Sequence, residues 1–107
     1  MTNFNDRERA EEAKFAMDEE TLFRVHARRN RLVGEWAAAK MGLSEAETEA
    51  YRKAVVQADF EEAGDEDVVR KLLGDMTAAG LDIDDATVRA ALEEKMIEAR
   101  RQLMGES

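Results

Sequence analysis

LFRVHARRNRLVGEWAAAKMGLSEAE, residues Leu22–Glu47, decides the fold class. At about 100° per residue, Leu22, Val25, His26, Leu32, Val33 and Trp36 share one face. Phe23, Ala27, Asn30, Gly34, Ala37 and Met41 form an adjoining face of mostly small residues. The combined arc is wider than a surface helix needs. This helix is therefore expected to be central, with neighbours on two sides and Trp36 in the core. Arg24, Arg28, Arg31 and Glu35 make its solvated edge. The stretch also ends legibly: Gly42 suits a left-handed position, Ser44 an N-cap, and Glu47 completes a capping box.

The same punctuation recurs downstream. Gly64 is followed by the capping candidate Asp65, and Gly80 by Asp84. Leu81 is placed to fold back on Met76 in a Schellman motif. Four helices are expected, at about 19–41, 44–62, 65–79 and 84–103. Three thinner stripes would cover the first helix. The second helix offers Ala50, Tyr51, Ala54, Val55, Ala58 and Phe60. The third offers Val68, Val69, Leu72, Leu73 and Met76, and the fourth Val88, Leu92, Met96, Ala99 and Leu103. No strand-like alternation competes, and the chain has no proline. The expected fold is all-α, a small four-helix bundle over 19–107 joined by short loops.

Composition narrows the function. The 107 residues suit one domain, and the absence of cysteine removes disulfides and thiol chemistry. No stretch reads as a membrane span or a signal peptide, so a cytoplasmic protein without membrane insertion is expected. The net charge of −9 is uneven: −4 over residues 1–20, +4 over 21–42 and −9 over 43–107. An acidic chain is a poor nucleic-acid binder. The basic segment between two acidic ones reads first as internal charge balance.

Residues 1–18 pose a separate question. They favour helix by composition, yet their apolar line of Phe4 and Phe15 is interrupted by Glu8, Glu11 and Asp18. No seam for docking on an acidic bundle is visible. A mobile segment is expected, with its two aromatics as anchors for a partner. The plain alternative is a solvated extension of the first helix with no role.

No catalytic constellation appears: there is no Gly-rich phosphate loop, no H-E-x-x-H, and no nucleophile spaced to a base. Asp82, Asp84 and Asp85 lack the glycine and glutamate of a calcium loop and read as caps. His26, the single histidine, reads as a structural residue before a pH sensor. Arg29 lies inside the apolar arc and needs a partner there, for which Asp59 and the acids opening the third helix are candidates. The functional alternative is an anion site of Arg28, Arg29 and Arg31, holding a phosphate or nucleotide weakly.

Three segments, in this order, resemble the alphaproteobacterial zeta subunit, the inhibitor of the F-type ATP synthase. They are FNDRERAEEAKFA (Phe4–Ala16), ARRNRLVGEWAA (Ala27–Ala38) and VVQADFEEAGDEDVVRKL (Val55–Leu72). The resemblance implies a four-helix bundle with a mobile N-terminal inhibitory segment. That segment would enter the catalytic head between alpha and beta subunits, beside gamma, and block rotation in the hydrolysis direction. Carried over by position, the inhibitory stretch runs from Phe4 to about Asp18, with Asp6, Arg7, Glu8, Lys14, Phe15 and Ala16 matching its motif. Glu11 stands where many relatives have an aromatic, and Glu35 where a leucine is common. The resemblance implies a regulatory monomer that is no enzyme, needs no cofactor, and sits at the cytoplasmic face of the inner membrane through the synthase. A nucleotide-sensing bundle and a structural adaptor are the competing readings.

Overall fold

The computed structural model describes residues 19–60 and 64–105. The expected inhibitory segment lies outside the described residues, including Phe4, Asp6, Arg7, Glu8, Lys14, Phe15 and Ala16. The described residues form four helices: α1 (Glu19–Met41), α2 (Glu45–Ala58), α3 (Glu66–Ala78) and α4 (Asp85–Leu103). The expected bundle is present. α1 packs chiefly against α2 and α4, while α3 touches all three others.

The helix ends follow the local chemistry of the sequence. Gly42 and Gly80 both have positive φ, at 73° and 89°. After α3, Leu81 N–H donates to Met76 C=O and Gly80 N–H to Thr77 C=O, the paired bonds of a Schellman motif. Ser44 and Glu47 form the full capping box at the start of α2. Asp84 accepts from Thr87 N–H at the start of α4. One cap differs from expectation. Asp65 precedes α3 but makes no side-chain cap bond, because its carboxylate is committed to Arg29. α2 is also shorter than the expected 44–62: it ends at Ala58, where Asp59 turns its carboxylate inward to Asn30.

The core gathers Val33 and Ala37 of α1, Val55 of α2, Val68, Leu72 and Met76 of α3, and Val88 and Leu92 of α4. These belong to the stripes read from sequence. At Gly34 the helices come closest: a Cβ there would sit 3.2 Å from Arg52 Cα and 3.3 Å from Val55 Cγ2. Small residues on α1's second face thus let α2 approach. Other residues depart from the expected packing. Trp36 is half-buried at the edge of the core, where Lys40 lies over its ring. Ala50 is exposed, and Leu22, Phe23 and Phe60 stand open to solvent. Among the described residues α2 ends at Ala58, so no described helix covers the first turns of α1 on that side.

Candidate functional site

The N-terminal half of α1 carries the polar and aromatic features that the core does not use. Arg29 is only 2% exposed. Its Nε and Nη2 both donate to Asn30 Oδ1, at 3.0 and 2.9 Å. Nη1 pairs with Asp65 Oδ1 at 3.0 Å, and Nη2 approaches Asp59 Oδ1 at 3.8 Å. Asn30, itself buried, donates from Nδ2 to Asp59 Oδ2 at 2.9 Å. One guanidinium therefore ties the middle of α1 to the end of α2 and the start of α3. The planar fork suits this, since it serves several acceptors at once. No buried side-chain nitrogen or oxygen among the described residues is left without a partner.

His26 lies one turn before Asn30, half-buried, with Nδ1 3.9 Å from Asp59 Oδ2. Burial lowers its pKa below the usual histidine value, and the Arg29 guanidinium lowers it further. The Asp59 and Asp65 carboxylates oppose this without overcoming it. The neutral imidazole is accordingly favoured over the protonated form.

Beside this network an open cleft of roughly 310 Å³ runs along the first turns of α1. Glu19, Leu22, Phe23, His26 and Asn30 form one wall, and Asp59 and Phe60 the other. Phe23 and Phe60 are stacked, with ring centroids 5.4 Å apart and an interplanar angle of 14°. Both are more than half exposed. An apolar cleft with carboxylates at its edge suits recognition of an apolar side chain rather than bond-making chemistry.

The three arginines of the expected anion site point to different places. Arg28 donates to Gln102 of α4, Arg29 sits in the buried network, and Arg31 pairs with Glu49 of α2. Glu35 pairs with Arg52 at 2.7 Å. Arg52 also holds Glu49, and hydrogen bonds from Arg52 and then Arg31 lower the Glu49 pKa. A four-residue ionic strip thus laces α1 to α2. Two features escaped the sequence reading. Asn30 was placed with small residues, and its position next to a buried arginine was the available signal. The Phe23–Phe60 stack was invisible because each ring was assigned to a buried stripe.

Comparison with known proteins adds the family. Residues 1–102 match the family model described as ATPase inhibitor subunit zeta. A search of curated proteins gives no match. Among solved structures, a protein determined by solution NMR is 49% identical, with a TM-score of 0.69 over 79% of this chain and 96% of that one. The family match covers the segment before the helices and all but the last residue of the four, and the chain belongs to the ATPase inhibitor subunit zeta family.

Proposed function

We propose that this chain inhibits ATP hydrolysis by an F-type ATP synthase. Residues 4–18 enter the catalytic head at an interface between alpha and beta subunits, next to gamma, and block rotation in the hydrolysis direction. Phe4 and Phe15 act as apolar anchors, with Asp6, Arg7, Glu8, Lys14 and Ala16 in the same contact. The bundle stays outside the head as a stop. The chain acts as a regulator without chemistry of its own and needs no cofactor. It sits at the cytoplasmic face of the inner membrane only through its partner, and among the described residues no helix is long and apolar enough to cross a membrane.

The observation that carries this reading is a division of labour within the family match. The match begins at residue 1, ahead of the first helix, and among the described residues the buried core runs from Val25 to Ala99. A segment that belongs to the family pattern but lies ahead of the four helices suits a partner-binding role. Deleting residues 1–18 is the test. Hydrolysis by the cognate enzyme should be inhibited by the full chain and uninhibited by the deletion variant, whose helical circular dichroism and melting temperature stay close to the parent's. Full inhibition by the deletion variant would move the function to the bundle.

A further inference from the structure

The cleft between Phe23 and Phe60 lies at the point where the described chain begins. Glu19, its first residue, is part of the cleft wall. Two stacked, exposed aromatics with Leu22 beside them form a concentrated apolar patch, apart from the exposed Ile97 and Met104. We propose that this cleft is a docking site for the chain's own residues 1–18, with Phe15 seated against Phe23 and Phe60, so that the segment alternates between the bundle and its partner. The functional consequence rests on reading residues 4–18 as the inhibitory element; the docking itself does not.

Length and position favour this occupant. Phe15 precedes Glu19 by four residues, which span up to about 13 Å when extended. Phe23 is one helical turn past Glu19, about 6 Å along the axis. A reversal at Asp18, a residue type common in turns, brings Phe15 over the cleft. The remaining residues are ample to follow α1 as far as Asn30, about 17 Å past Glu19. Charge agrees as well. Lys14 would arrive beside Glu19, the exposed carboxylate of the cleft wall. The segment also brings Phe4 and Met17, two further apolar groups. A second copy of the chain fits less well. It would have to seat one Phe23–Phe60 stack on another, although each ring already covers one face of its neighbour.

The chain has no cysteine, so a single one can carry a spin label. Asn5→Cys is the informative site. If α1 simply continued upstream, residue 5 would lie about 21 Å beyond Glu19, away from the cleft. Folded back, it lies near Asp59. In the full-length protein the label should broaden the amide signals of Asp59 and Phe60 and spare those of Ile83 and Leu81. Adding Phe60→Ala should remove that broadening. Mixing isotope-labelled chains without a spin label with spin-labelled chains of natural abundance separates a second copy from an internal contact. Broadening in the mixture would overturn the proposal, as would its absence in the single labelled chain. With a docked population near one half, Phe60→Ala should speed the onset of inhibition about twofold, by raising the free fraction. If broadening is present but deletion of residues 1–18 leaves inhibition intact, docking stands and the inhibitory reading fails. If deletion abolishes inhibition and no broadening appears, the reverse holds.

Discussion

Arg29 shows how much one residue can fix. Its guanidinium is buried, yet it is served by three polar partners: Asn30, Asp59 and Asp65. Breaking a buried pair typically costs about 3–5 kcal/mol. Asp65 is close to half exposed, so Arg29→Ala should fall toward the lower end, at about 3 kcal/mol. Arg29→Lys keeps the charge and loses the fork, and about 1–2 kcal/mol is expected. Urea denaturation of the three proteins checks both values, and a lysine variant as stable as the parent would show that the fork is dispensable. The need for a partner was legible in the sequence, because an arginine between Val25 and Val33 cannot be left bare. The identity of the hub was less so, since Asn30 reads as merely small until α2 and α3 are placed. His26 adds a pH dependence at the same spot. Its pKa is lower in the folded chain than in the unfolded one. Between those two values the folded state binds fewer protons, so stability rises with pH across that window. Acidification below about 6.5 should therefore destabilise the parent. His26→Gln should flatten that part of a stability–pH curve, and an unchanged slope would assign it to other groups.

At the scale of elements, helix ends were the most legible part of the chain. Gly42, Ser44, Glu47, Gly80 and Asp84 act locally, within a few residues of their own backbone. Where the reading failed, a tertiary partner had intervened. Asp65 gives up its cap role to Arg29, and Asp59 closes α2 before the expected end. Trp36 was assigned to the core by helical phase alone, but α1 presents it to the edge. Its truncation should therefore cost less than the 3–5 kcal/mol of a fully buried aromatic, about 1–2 kcal/mol. The α2 cap gives a cleaner test. Ser44→Ala removes the acceptor for Glu47 N–H and should cost about 1 kcal/mol, read as a lower urea midpoint with an unchanged slope. The two glycines that matter differ in kind. Gly80 is held at positive φ, whereas Gly34 is helical and crowded by α2. Gly34→Ala gains helix propensity but pushes Arg52 and Val55 away, so a net loss is expected despite the better helix former.

At the scale of the whole molecule, the distinction between core and segment makes opposite predictions for apolar residues of similar size. Leu72 is fully buried at the centre of the cluster. Leu72→Ala should cost about 2–5 kcal/mol, a large part of a small domain's stability. Phe15 lies ahead of the described helices, in the segment proposed to serve the partner. Phe15→Ala should change stability by no more than about 0.5 kcal/mol, the scale of substitutions away from a core. A contact with the cleft made half the time adds only about RT ln 2, or roughly 0.4 kcal/mol, which fits inside that limit. The effect on the partner should be far larger. An anchor truncated at an interface commonly costs 2 kcal/mol or more, about thirtyfold in affinity. Phe4→Ala should cost less, because a chain terminus frays even when bound. Titrating each variant into a hydrolysis assay, beside a melting curve of the same sample, reads both quantities together. Loss of inhibition at an unchanged melting temperature for Phe15→Ala is the expected pattern. A Phe15→Ala protein that melts early would place that ring in the fold, and one that inhibits like the parent would remove it from the contact with the enzyme.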